Sequence, residues 1–203
     1  MSAVLQYMKA MALGMLAGLP VAVGVRLLCA LRRRRSGART TPLHEGLALL
    51  LLVWTLGLLS QTVLPELITA IREGTLRLNS RVNLVPFLVF RQTAEMFRSD
   101  HLSYFLINLL GNVLIFVPLG LLPPLLWKGM ERFWKVLVLG CGLSVFIETA
   151  QLLLPRGTDI DDVWLNTLGA ALGYGVFALI RKGFPKILPR CRVLPAAERS
   201  LHG

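Results

Sequence analysis

Apolar stretches long enough to cross a lipid bilayer constrain this chain more than any other feature of its sequence. They cover residues 10–31, 43–64, 102–127, 133–154 and 163–180. The hydrocarbon core of a bilayer is about 30 Å thick, and a helix of about 20 residues spans it. Because backbone groups in that core cannot hydrogen-bond to water, each stretch is predicted to be a helix. The sequence therefore predicts an all-α, multi-pass membrane protein with about five transmembrane helices.

The positions of the basic residues predict how these helices are oriented. A run from Arg32 to Arg35 follows the first stretch, Lys128, Arg132 and Lys135 follow the third, and six basic residues follow the fifth. Cytoplasmic loops collect Lys and Arg, so we expect the N terminus outside and the C terminus inside. The same placement accounts for the net charge of +11 without a nucleic-acid partner.

The connection between the second and third stretches, residues 65–99, is predicted to lie outside the membrane. Within it Phe87, Phe90, Ala94 and Phe97 recur at helical spacing, and charged residues lie off that face. This pattern predicts an amphipathic helix that lies in the outer membrane interface, between the second and third transmembrane helices.

Polar residues within and beside the last two stretches indicate a candidate site. Glu148 is the costliest of them to bury in a membrane, so we expect it to face a partner or water. Glu148 and Gln151 share one helix face, as do Asp162 and Asn166. If a tight turn at residues 155–157 joins two antiparallel helices, these faces meet and form a polar pocket at one membrane surface.

The third helix carries polar residues at a similar depth. At 1.5 Å per residue, Asn108 and Glu148 lie about 9 Å below the outer surface, Asn112 about 15 Å and Asn166 about 5 Å. The inner half of the predicted bundle carries no comparable group of residues. The asymmetry predicts a cavity that opens outward and not a pore through the membrane.

The side chains at this end limit the chemistry that the site can perform. Glu148, Asp159 and Asp162 are candidates for acid–base catalysis, and Asp159 and Asp162 for ligands of a divalent cation. Asp161, in the same acidic segment, could also supply an acid–base group or an oxygen ligand. No catalytic motif and no other cofactor is indicated. The candidate ligand-binding residues are Arg81, Asn83, Asn108, Asn112, Glu148, Gln151, Arg156, Asp159, Asp162 and Asn166.

Several of these features have structural alternatives. The asparagines within the helices are also suited to hydrogen bonds between helices. Gly169, Gly173 and Gly175 are expected at close helix contacts. Arg156 with Asp159 is an alternative cap for a turn. The pattern leaves these roles open.

Six short motifs lie between residues 81 and 175. They are Asn83-Leu-Val-Pro86-Phe87, Asn108-x-x-Gly111-Asn112, Phe116-Val-Pro118-Leu-Gly120, Glu148-x-x-Gln151, Arg156-x-x-Asp159-x-x-Asp162 and Asn166-x-x-Gly169. With these motifs the chain resembles the VanZ-like family of bacterial membrane proteins. The resemblance implies a multi-pass envelope protein, in a family named for low-level resistance to the glycopeptide teicoplanin, and it implies no established catalytic mechanism. Residues 1–42 would then form the first transmembrane helix and a basic cytoplasmic loop, residues 43–180 the VanZ-like helical membrane domain, and residues 181–203 a basic cytoplasmic tail.

The function expected from these features is that of a protein of the bacterial cytoplasmic membrane with an outward-facing polar pocket. Its partner would be the head group of a membrane lipid or lipid-linked envelope precursor, with a link to teicoplanin-type tolerance. The alternative is an intramembrane metal-assisted hydrolase or transferase that acts on such a head group. A small transporter is disfavoured because the inner half of the bundle lacks matching polar groups. Ligand identity and oligomeric state stay open.

The predicted orientation can be tested by labelling single cysteines with an impermeant maleimide. In a background lacking Cys29, Cys141 and Cys191, a Ser36→Cys variant should be protected in intact cells and a Thr75→Cys variant labelled. Labelling after permeabilisation controls for accessibility. Labelling at Ser36 with protection at Thr75 would reverse the orientation.

Overall fold

The structure is a computed structural model, and it describes residues 3–35, 37–76, 82–88, 102–154 and 157–193. Among these residues, five helices are long and apolar enough to cross a membrane, which confirms the predicted fold class. Their orientation stays a prediction. The elements are α1 (Ala3–Arg35), α2 (Pro42–Thr62), α3 (Leu64–Glu73), β1 (Val82–Asn83), α4 (Leu102–Leu126), α5 (Phe133–Gln151), β2 (Thr158–Asp159) and α6 (Ile160–Gly183), with 3-10 turns at Lys128–Met130 and Pro185–Cys191.

The connection that starts at residue 65, which is predicted to lie outside the membrane, opens with a helix that the sequence analysis did not predict. Helix α3 begins at Leu64, and Pro65 occupies its first turn, where a missing N–H costs no hydrogen bond. The helix ends at Gly74, whose φ of 64° is left-handed and suits a glycine. Residues 89–101 lie outside the described residues, and they include most of the predicted interfacial helix.

The central contact of the bundle is made by α4 and α6, whose backbones touch at Gly120 of α4 and at Gly169 and Gly173 of α6. A Cβ atom on Gly169 would lie 2.0 Å from the carbonyl oxygen of Val113, and one on Gly173 would lie 2.1 Å from that of Val117. These two glycines therefore pack as predicted, because only a residue without a side chain permits this approach. The expectation for Gly175 is wrong, because a Cβ there would meet no atom of the described residues within 4 Å.

The remaining helices flank this pair. On α2, the indole Nε1 of Trp54 donates to the carbonyl oxygen of Ile115 on α4 at 2.8 Å. Helix α1 packs on α2 through small residues, since a Cβ on Gly18 would lie 2.9 Å from a methyl group of Leu56. Only 6% of its most apolar part is buried within the protein, so α1 leaves most of its surface uncovered by the described residues.

The described part of the predicted cytoplasmic tail packs back onto the bundle. The turn at Pro185–Cys191 brings the carbonyl oxygen of Cys191 to 2.8 Å from His44 Nδ1. Arg192 pairs with Glu131 at 2.6 Å. Burial raises the pKa of the Cys191 thiol, which makes it a poor nucleophile. Residues 184–193 are thus a packed element that links α2, α4 and α6.

The packing of α4 on α6 predicts opposite effects at two neighbouring glycines. Gly173→Ala should destabilise the protein by about 1–3 kcal/mol, because its methyl group would meet a backbone carbonyl. Gly175→Ala should be neutral or stabilising by up to about 1 kcal/mol, because alanine favours the helix. Thermal unfolding in detergent checks both variants. Equal melting temperatures for the two would contradict this packing.

Candidate functional site

A short parallel strand pair brings the segment after α3 to the start of α6. Strand β1 pairs with β2, with Val82 opposite Thr158 and Asn83 opposite Asp159. The Asn83 side chain reinforces this pairing, because its Nδ2 donates to Asp159 Oδ1 at 2.9 Å. Residues far apart in the chain are thereby joined at the end of the bundle where α6 begins.

Asp159 also holds the first turn of α6. It is the N-cap residue, and its side chain accepts a hydrogen bond from the backbone N–H of Asp161 at 2.9 Å. A carboxylate at this position satisfies one of the free N–H groups of the helix and interacts favourably with its dipole. One carboxylate oxygen of Asp159 thus accepts both from the helix and from Asn83 on β1.

Asp161 belongs to the predicted acidic segment, although the sequence analysis did not include it among the candidate ligand-binding residues. It is 2% exposed, and its Oδ1 accepts from the backbone N–H of Phe87 at 2.6 Å and from Trp164 Nε1 at 2.8 Å. The Phe87 and Trp164 rings lie 5.6 Å apart. The sequence did contain a signal for this role. Asp161 lies in the first turn of a helix, three residues before Trp164.

The backbone of Phe87 is held in an unusual conformation at this contact. Its φ of 62° is left-handed, which costs a residue with a bulky side chain about 1–3 kcal/mol. The surroundings must impose such a conformation, and the hydrogen bond to buried Asp161 is one contact that does so. The segment at residues 82–88 is therefore fixed to β2 at its start and to α6 near its end.

Glu148 lies nearer to the helix end than the sequence analysis expected. Helix α5 ends at Gln151 and not at residue 154, so Glu148 is about 4.5 Å from the end of the helix. The side chain is 6% exposed, and its Oε2 accepts from the backbone N–H of Asp159 at 3.0 Å. The carboxylate therefore lies at the N-terminal, positive end of the α6 dipole.

Glu148 and Gln151, which were predicted to share one helix face, contact different parts of the protein. Gln151 turns toward α2, where its Nε2 donates to the carbonyl oxygen of Thr62 at 3.1 Å. Thr62 is the last residue of α2, and carbonyl groups there have no partner within the helix. Gln151 therefore joins α5 to α2, which is a structural role that the periodicity could not distinguish from ligand binding.

Asp162 and Asn166, which were predicted to share one face of α6, also contact different helices. Asp162 Oδ1 accepts from Asn112 Nδ2 on α4. Asn166 Nδ2 instead donates to Ser144 Oγ on α5 at 2.8 Å, about 9 Å from the start of α6. Ser144 is fully buried, and it is a second residue that the sequence analysis missed.

The acceptor atom of Asn166 is distinctive within this arrangement. Its Oδ1 is buried and has no hydrogen-bond partner in the described part of the chain. Buried polar atoms nearly always have a partner, so such an atom is a place where a bound water or ligand donor belongs. It lies one helical turn below Asp162.

Three predicted site residues are not placed by the structure. Arg81 and Arg156 lie outside the described residues, and so does the side chain of Asn108. A cation site stays a prediction, since no three His, Cys, Asp or Glu side chains among residues 3–35, 37–76, 82–88, 102–154 and 157–193 are grouped as metal ligands. We call Glu148, Asp159, Asp161 and Asp162 the acidic cluster.

A second polar group lies at the other end of the bundle, where the sequence analysis expected none. Glu45 Oε2 accepts from Arg26 Nε at 3.0 Å, and Glu45 Oε1 pairs with Arg33 at 3.2 Å. Arg33 also lies 3.0 Å from Nε2 of the fully buried His44. The expectation that this half of the bundle carries no comparable group of polar residues is therefore wrong. Ion pairing between α1 and α2 makes the burial of these charges tolerable.

Comparison with known proteins gives matches in sequence. A family model described as VanZ/LLP1 matches residues 46–181. Protein VanZ of Enterococcus faecium is 34% identical over 105 residues, which are 50% of this chain and 55% of that protein. The match thus spans about half the length of that relative. No solved structure matches the chain significantly.

The contacts of Asp161 predict a structural cost that a surface acid does not share. Asp161→Asn should lower the free energy of unfolding by about 1.5–3 kcal/mol, because buried donors lose a charged acceptor. Glu73→Gln, at an exposed position on α3, removes the same charge and should have little effect. Thermal unfolding of both variants in detergent is the measurement. Equal shifts would contradict the arrangement around Asp161.

Proposed function

This chain belongs to the VanZ/LLP1 family, and we propose that it acts in the bacterial cytoplasmic membrane as a binding protein for an envelope head group. The head group would belong to a membrane lipid or to a lipid-linked envelope precursor. It would bind at the acidic cluster, on the side of the membrane that is predicted to be external. Such binding would connect the protein to teicoplanin-type tolerance, as the family resemblance suggests.

The observation that carries this proposal is the convergence of polar side chains from separate elements at the start of α6. Asp162 meets Asn112 of α4, and Asn166 meets Ser144 of α5. An ionisable group within an apolar helix is costly to bury, and it is a candidate functional site by default. The buried acceptor of Asn166 suits a hydroxyl or ammonium donor of a head group.

The basic residues predicted for this end complete the chemistry of the proposal. Arg81 adjoins β1, and Arg156 is separated from β2 by Gly157 alone. Arginine binds phosphate through two parallel hydrogen bonds. A ligand with both a phosphate and hydroxyl groups would bind the phosphate to these arginines. Its hydroxyl groups would bind the carboxylates of the acidic cluster and the neighbouring amide side chains.

Binding is favoured over transport by the packing below the site. The contacts at Gly169 and Gly173 bring α4 and α6 backbone to backbone. The polar group of the opposite end lies between α1 and α2, beside this contact and not below it. No observation favours metal-assisted hydrolysis, so it stays the alternative prediction.

The proposal is tested by identifying the lipid that copurifies with the protein and by changing the charge at Arg156. We expect wild-type protein, purified gently and analysed by mass spectrometry, to retain an envelope lipid. Arg156→Gln should lose that lipid, and Arg156→Lys should recover only part of it, because lysine has no bidentate fork. Arg72→Gln, on the exposed face of α3, is the matched control and should retain it.

A double variant distinguishes ligand binding from a structural ion pair. Asp159→Asn keeps a side chain that can cap α6, so the helix should form in this background. If Arg156 binds an anionic ligand, Arg156→Gln with Asp159→Asn should still lose the lipid. Full recovery in the double variant, at equal protein level in the membrane, would show that neutralising Asp159 is the whole role of Arg156.

A further inference from the structure

A cavity of about 710 Å³ lies between α1, α2 and the loop that joins them, at the end of the bundle opposite the acidic cluster. Its polar lining includes Arg26, Arg33, Arg39 and Glu45. Its apolar lining includes Leu27 of α1 and Leu49 of α2. We call this space the arginine cavity. Its volume is in the range of sites that bind small molecules.

The charges of the arginine cavity favour an anion. The lining holds three arginines and one glutamate. Glu45 is shared between Arg26 and Arg33, so it compensates only part of their charge. Arg39 is exposed and has no ion-pair partner among the described residues. An anion with several oxygens would satisfy guanidinium groups that these pairs leave in excess.

The contacts of Glu45 also hold two of the guanidinium groups in place. Arg26 and Arg33 are two turns apart on α1, and both reach the first turn of α2. Arg33 is further fixed by its contact with His44. Arginine that is already oriented loses less entropy when it binds a planar or tetrahedral anion. Glu45 is therefore a positioning residue in this site.

The position of the cavity along α1 indicates a ligand that is both anionic and apolar. Arg26 and Arg33 lie at the end of a candidate membrane span, Met8–Arg33, where hydrocarbon meets the polar interface. Leucines of α1 beside the cavity are exposed, with Leu27 at 60% and Leu28 at 61%. If the arginines bind the phosphate group of a lipid, the acyl chains of that lipid would lie along this apolar surface.

From the volume, the charge and the position of the arginine cavity, we propose that it binds the phosphate group of an anionic phospholipid. A phospholipid without a compensating amine, such as phosphatidylglycerol, has the complementary charge. By the predicted orientation the lipid would come from the cytoplasmic leaflet. This site is separate from the acidic cluster and does not depend on the function proposed there.

Native mass spectrometry of the full chain in a mild detergent tests this proposal. Phosphatidylglycerol should bind in preference to phosphatidylcholine, and the variant Arg33→Gln with Arg39→Gln should weaken phosphatidylglycerol binding about tenfold. The control Arg132→Gln with Lys182→Gln removes the same charge at the same end but outside the cavity, and it should keep the preference. If the first double variant does not fold, Arg39→Gln alone should still weaken binding, because its side chain is exposed.

The same titration contains the results that would overturn the proposal. Equal binding of the two phospholipids by wild-type protein would remove charge as the basis of selection. Equal losses in the cavity variants and the control would show that net charge, not this cavity, attracts the lipid. Displacement of phosphatidylglycerol by excess inorganic phosphate would mean that the site takes free phosphate rather than a lipid.

Discussion

Helices α4 and α6 touch backbone to backbone, and this contact decides where each polar side chain at the start of α6 can lie. Gly169 and Gly173 leave no room for a side chain against α4. Asn166 lies one turn before Gly169, and Asp162 lies two turns before it. The contact thereby brings Asp162 within reach of α4 and Asn166 within reach of α5. In a membrane the hydrophobic effect does not favour helix association, so such close packing is a main source of stability.

The acidic cluster is stabilised by the ends of helices and strands rather than by the membrane around it. Asp159 caps α6, and Glu148 accepts from the backbone N–H of the same residue. Asp161 holds Phe87 and Trp164. Carboxylates at a helix N terminus interact favourably with the dipole, so several can share this small volume. The site is thus built around the first turn of α6, and the segment at residues 82–88 closes over it.

The helices could be predicted from the sequence because length and hydropathy are properties of each segment alone. Their ends were less predictable. Pro65 ends the apolar stretch in the sequence, yet the structure begins α3 one residue earlier. Likewise, Gly173 and Gly175 look equivalent in sequence, and only the direction in which each points separates a close contact from open space.

The polar residues show the same limit more sharply. Periodicity placed Glu148 with Gln151 on one face, but it could not indicate that Gln151 would satisfy a carbonyl of α2. The role of Asp161 depends on Phe87, which is remote in sequence and brought close by β1. The ion pairs of Glu45 with α1 also depend on how two helices pack. Contacts between distant residues are what local patterns cannot supply.

The most direct test of this account is whether β1 lies beside β2 in the membrane-embedded protein. Neighbouring strands lie about 4.8 Å apart, a separation that a disulfide can bridge. The experiment uses a background without Cys29, Cys141 and Cys191. Val82→Cys with Thr158→Cys should form a disulfide readily under mild oxidation, because these residues are paired in register. Leu84→Cys with Thr158→Cys should form little, since Leu84 lies beyond the pairing. Cross-linking of the second pair without the first would contradict the strand register on which the site depends.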